Sequence, residues 1–230
     1  MQYLCFSKSE ISGQISNFMK HFILMADIID SGAKDSRKLI REFKSVVNSV
    51  NEKYCKYIES PITITLGDEF QGVIRDIKTS LEIIIYIEEE FIRSNLDFKL
   101  RYVIYEGVID TLINNKIAFE MLGPGLTESR NRLSELKMTK HRFYVSLDDK
   151  NISKILNNSF LLLEILISKW NPNKDYQTVS YFIDYDDYKK VSELLEKNRS
   201  LIWKREKSLN IESYNAIKNI ILTISKLQNK

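Results

Sequence analysis

Cysteine and histidine are almost missing from this chain. Cys5 and Cys55 are its two cysteines, His21 and His141 its two histidines. Two thiols build no disulfide framework, and ligands so few and so far apart argue against a Cys/His zinc site. Long apolar runs are missing too: none approaches the ~18 residues that a spanning helix needs. The opening MQYLCFSKSE lacks the basic-then-apolar order of a secretory signal. No membrane role and a cytoplasmic location are expected on those grounds. Nor is there a dominant charge. A net charge of +3 over 230 residues is too small to indicate nucleic-acid binding unless it is concentrated locally. What remains is ordinary for a packed domain: 43% hydrophobic and 28% charged residues support a core and exclude wholesale disorder.

Periodicity divides the chain into alternating elements. Residues 22–26 form an apolar strand that ends in Asp27 and Asp30. Asp35 or Ser36 offers an N-cap, and apolar residues from Leu39 to Ile58 at three- and four-residue steps predict a helix over 36–59. SPITITL and EFQGVI read as two strands joined by a turn at Gly67-Asp68. A second helix follows, then a strand, FKLRYVIYEGVID, in which Gly107 marks a bulge or a close approach. NNKIAFEMLGPG is expected to hold a short hairpin, LTESRNRLSELKM a helix and HRFYVSL a last strand. The first six elements run β-α-β-β-α-β. That is the ferredoxin-like, split βαβ plan of an α+β fold: an antiparallel sheet with helices on one face. The expected division is a palm-type domain over 1–149 and a helical region over 150–230.

In such a plan the first strand lies beside the hairpin, so Asp27 comes near Asp68. Two carboxylates at one point repel, and a Mg²⁺ or Mn²⁺ ion would relieve the repulsion, since hard cations take oxygen ligands and Mg²⁺ typically combines one or two carboxylates with phosphate oxygens. Asp30 and Glu69 would add charge around them. Gly67 allows an unusual backbone angle and leaves room for a phosphate. The plainer alternative is that Gly-Asp is only turn chemistry.

Three strings, ADIIDS (26–31), ITLGDEFQG (64–72) and GPG followed by Arg130, resemble in this order the SatD family of small bacterial proteins. More distantly, Asp27-Ile28, Gly67-Asp68, Gly107 and Arg130 are similar to features of class III nucleotidyl cyclases, and GDEF resembles the signature of diguanylate cyclases. Those enzymes hold two metal ions on aspartates against a nucleoside triphosphate. The resemblance implies that Asp27 and Asp68 are metal ligands and catalytic residues, with Arg130, or Arg132 one register away, on the triphosphate. It implies phosphate contacts from Gly123 and Gly125, and a homodimer with shared sites. It departs at Ile64, where cyclases carry a base-reading lysine, at Leu126, where they carry an asparagine, and at Asp30, where they carry glycine. The half that binds metal is kept and the half that reads base and ribose is not. Two functions of different class stay open: a regulatory or signalling protein that senses a nucleotide, and an active nucleotidyl cyclase or nucleotidyltransferase.

Over 185–230 the layout is that of a helix-turn-helix, a module that SatD-like proteins are expected to carry. That span holds ten Lys or Arg against six Asp or Glu. Leu201, Ile202 and Leu209 would pack inward and Trp203 would join the core. Arg199, Lys204, Arg205 and Lys207 would face DNA phosphates. The alternatives are a solvated face and a degenerate, protein-binding module.

Overall fold

The computed structural model describes residues 19–31 and 36–225. The Asp35 cap falls outside these residues. The elements are β1 (Lys20–Ile28), α1 (Ser36–Tyr54), β2 (Ile58–Ile64), β3 (Glu69–Ile74), α2 (Ile77–Arg93), β4 (Leu100–Val108), α3 (Pro124–Lys137), β5 (Phe143–Ser146) and five further helices. These are α4 (Lys150–Ile167), α5 (Tyr176–Tyr185), α6 (Tyr188–Leu194), α7 (Arg199–Ser208) and α8 (Ile211–Ile224).

The strands form one sheet in the order β2-β3-β1-β4-β5. The first four pair antiparallel, which is the split βαβ plan, and β5 adds parallel to β4. A parallel neighbour needs a crossover, and α3 supplies it. The two helices of the split βαβ plan, α1 and α2, share one face of the sheet as expected, and α3, which follows those six elements, covers the other. β1 therefore reads as a nearly continuous apolar run, because both of its faces are buried. Leu24, Ala26 and Ile28 join the core of α1 and α2, while Ile23 and Met25 join Leu126, Leu133 and Leu136 of α3.

Three local expectations are corrected. α1 stops at Tyr54 rather than residue 59, since a 3₁₀ turn intervenes and Ile58 is already paired with Ile74. Residues 109–123 form a loop with no strand. The loop is held by side chains instead of a ladder: Ala118 N–H donates to Thr63 Oγ1 and Gln71 Nε2 donates to the Ala118 carbonyl, both at 2.9 Å. In the tail, Ile202 and Leu209 are buried but Leu201 and Trp203 are about half exposed. α7 is short, and neighbours of Ile202 lie a quarter-turn or more off its buried side. Trp170 takes the expected aromatic role, donating Nε1–H to the Leu209 carbonyl at 2.9 Å and packing against Tyr214.

Gly107 marks a close approach, as one of its two readings has it. A Cβ built on Gly107 would stand 2.7 Å from the Cα of Gly125, and one on Gly125 would stand 2.8 Å from Gly107 C and Val108 O. The pair lets the start of α3 lie directly on β4.

The tail shares the apolar core of α1 and α2: Phe160, Val179, Phe182 and Ile221 belong to the same cluster as Phe43 and Leu81. Buried charge lies in the same core, joining α2 to the sheet at Glu88 and to the tail at Glu89. Glu88 of α2 accepts from Tyr102 Oη at 2.9 Å and from Arg142, which also donates to the Leu100 carbonyl. The neighbouring Glu89 accepts from Tyr214 at 2.9 Å and from Lys218, both on α8. Each edge strand meets an asparagine. Asn51 exchanges two hydrogen bonds with the backbone of Ile62, and Asn157 does the same with Val145.

Candidate functional site

The sheet face under α3 changes character along its length. In its middle, at Ile23, Met25, Val73 and Val103, it is apolar. At one end the alternation that points Ile23 and Met25 at α3 also points Asp27 there, and Asp27 is only 3% exposed. Register places Asp27 opposite Glu69 on β3 and Arg101 on β4. Antiparallel partners share a face, so the three side chains converge. Arg101 Nη1 lies 3.2 Å from Asp27 Oδ2. Lys137, in the last turn of α3, reaches down between the two acids, with Nζ 2.9 Å from Asp27 Oδ1 and 2.7 Å from Glu69 Oε1.

Asp68 sits one residue before β3. Its carbonyl accepts from Ile28 N–H at 2.9 Å, which ties the hairpin tip to the end of β1. Its Oδ2 accepts from Ser31 Oγ at 2.7 Å. Gly67 is at the tip with a positive φ of 88°, the left-handed region that glycine tolerates, and open space surrounds its α-carbon. Asp30 is exposed in the turn after β1, itself with φ 55°.

Burial pushes the Asp27 carboxyl above its ordinary value, and Asp68 and Glu69 push the same way. The Lys137 ammonium opposes them. Desolvation works against the charged form of Lys137, but its hydrogen bonds to Glu69 and Asp27 outweigh that and raise its pKa. The cluster is thus a carboxylate site already compensated by nitrogen cations.

Seven residues before Lys137, and so on the same side of α3, stands Arg130. Its Nη2 lies 3.5 Å from Oε1 of Gln71, the next inward residue of β3 after Glu69. Arg130 and Gln71 border a cavity of about 260 Å³ with Gly123, Thr127, Asn131, Thr65 and the Ala118–Leu122 segment. Arg132 is elsewhere. It pairs with Glu128 at 2.6 Å and Glu135 at 2.8 Å and lies over the Tyr144 ring. Gly123 borders the cavity, whereas Gly125 is buried against Gly107. Asp27, Asp68, Glu69, Gly67 and Arg130 therefore occupy one side of the sheet and α3, with Asp30 at its rim.

Lys137, Arg101 and Gln71 escape sequence reasoning. Lys137 carries one usable signal, its seven-residue step from Arg130. Arg101 carries none until strand register is known. No group of three or more His, Cys, Asp and Glu among the described residues is arranged to hold a metal ion.

In the tail, Arg199 pairs with Glu193 at 3.2 Å, Lys207 with Glu212 at 3.2 Å, and Arg205 with Asp175; Lys204 is exposed. No helix among the described residues is long and apolar enough to cross a membrane.

Comparison with known proteins adds the following. One solved structure that matches is that of a bacterial light-regulated adenylyl cyclase. The identity is 13% and the TM-score 0.38, and the match covers 56% of this chain and 43% of that one. A likeness at that level assigns no activity, and this chain spans less than half of that protein's length. No curated protein matches. The model of the SatD family matches residues 21–224, and the chain belongs to the SatD family.

Proposed function

We propose that the α3 side of the sheet binds a nucleotide together with Mg²⁺ or Mn²⁺, and that this SatD-family protein uses the binding as a regulatory signal. The observation that carries this reading is the alignment on one helix face of Arg130 over a cavity and Lys137 over a buried aspartate. Asp27 and Asp68 would hold the metal. Their donors are carboxylate oxygens, the type that hard cations take, and two such ligands suffice for Mg²⁺ once phosphate oxygens complete its shell. The cations already seated on Asp27 support the fit, since the carboxylate lies where positive charge is needed. A bound ion would neutralise phosphate charge. Arg130 would add two planar donors to the phosphates, and Asn131, Thr127 and the backbone at Gly123 would line the remainder of the ligand. Through α2 and β5 the tail shares a core with the sheet that carries this site, which gives a bound ligand a packed route to α4–α8.

The test is thermal denaturation with Mn²⁺ and a non-hydrolysable nucleoside triphosphate. Saturation at 100 times Kd should raise Tm by roughly 5–10 °C in a chain of this size. Asp27→Ala with Asp68→Ala should remove the rise. No shift with any of the four common triphosphates would sink the proposal. Labelled triphosphate then separates the two functional classes: pyrophosphate release marks a nucleotidyl cyclase or nucleotidyltransferase, and binding without release marks a sensor.

A further inference from the structure

The two cations on Asp27 are not equivalent. Arg101 lies on β4, directly across the ladder from Asp27, and takes Oδ2. Its position is set by nine paired positions between β1 and β4. Lys137 is the last residue of α3, just before the Met138 C-cap, and takes Oδ1 while also bonding Glu69. Its side chain is 36% exposed, against 5% for Asp27 and 14% for Glu69. Four methylenes and an exposed flank let its ammonium swing into water without moving the helix. The Arg101 side chain has less open flank, being 16% exposed.

We infer that Lys137 is a tethered cation that holds the metal position closed, and that a divalent ion reaches Asp27 only by displacing it. This rests on the proposed metal-nucleotide site and adds to it a mechanism of control. With Lys137 in place, Oδ1 of Asp27 is masked and a metal ion approaching it would meet an ammonium at ion-pair distance. Like charges at that separation repel strongly where water is scarce. An arriving phosphate changes the balance, because the released ammonium can pair with it instead of Asp27. Metal and anionic ligand would therefore bind together, each weak alone. The carboxylates alone would attract a metal regardless of its companion; the lysine makes occupancy conditional.

The experiment compares the full chain with Lys137→Met and Lys137→Arg, using Mn²⁺ alone and Mn²⁺ with a non-hydrolysable triphosphate, read by electron paramagnetic resonance of free Mn²⁺. Lys137→Met should bind Mn²⁺ alone at least about tenfold more tightly than the parent chain, and adding Asp27→Asn should cancel the gain. Lys137→Arg, which keeps the charge, should bind no better than the parent. The apo Tm of Lys137→Met should fall and be restored by Mn²⁺. Equal Mn²⁺ affinity in the parent and Lys137→Met would overturn the gating role while leaving the metal site standing. If neither chain binds Mn²⁺, with or without triphosphate, the metal reading falls and the gate with it. If Lys137→Met does not fold, Lys137→Gln replaces it under the same outcomes.

Discussion

The two faces of the sheet solve the problem of buried charge in opposite ways. On the α1–α2 side, Glu88 is enclosed by Arg142 and Tyr102 and Glu89 by Tyr214 and Lys218, deep in the continuous core that includes the tail. Arg142, Tyr102 and Tyr214 are buried, and Lys218 and Arg93, which also pair with Glu89, are less exposed than Lys137. On the α3 side, the apolar cluster is small and gives way to Asp27, whose second partner is a lysine at the surface. Enclosed pairs of the first kind are hard to open and specify how elements dock. A half-open cluster of the second kind can exchange one cation for another. The larger core and the enclosed pairs lie on one face, and the half-open charge cluster lies on the other.

The comparison can be broken most sharply at Arg142. Arg142→Met leaves the Glu88 carboxylate buried with only the Tyr102 hydroxyl, and should destabilise the chain by about 3–5 kcal/mol in denaturant unfolding. Adding Glu88→Leu should recover most of it, because no orphan charge remains. A single variant as stable as the parent would mean that this pair is no different from the exposed one. A smaller effect is expected at the seat of α3. Gly125→Ala places a methyl 2.8 Å from the Gly107 and Val108 backbone, so the helix must lift, at a cost of about 1–3 kcal/mol. The cavity beneath Arg130 should change with it, so nucleotide affinity should drop alongside the melting temperature. The smallest effect is a titration. The folded pKa of Asp27 stands above its ordinary 3.8, so the native state holds this proton more tightly than the unfolded chain does. Its contribution to stability is present at low pH and is lost as pH rises from near 4 through the folded value. Lys137→Met removes the main opposing influence and should move the Asp27 carboxyl resonance in a ¹³C NMR titration further upward; an unchanged midpoint would deny that Lys137 compensates it.

Much of the architecture was legible because strand order follows from connection lengths and from which strands are apolar on both sides. Asp27 and Asp68 share one end of the sheet for that reason alone. Gly107 could be read as a close approach, though its partner, Gly125, could not. The loop over 109–123 forms no hairpin because the backbone of Ala118 is satisfied by the Thr63 and Gln71 side chains in place of a strand ladder. Trp203 misled because size favours burial, but a short helix with one buried position has no room for it. Lys137 and Arg101 were hidden for a different reason. Arg101 near the start of a strand has no local signature, the seven-residue step from Arg130 to Lys137 marks only a shared helix face, and both roles appear only when α3 is laid across β1 and β3.

The asparagines at the two sheet margins set a limit on how this molecule can meet others. Ile62 and Val145 have their outward amide groups claimed by Asn51 and Asn157. An extended peptide pairing across Ile62 or Val145, or polymerisation through those strands at the same positions, would first have to strip an amide clasp from its own backbone.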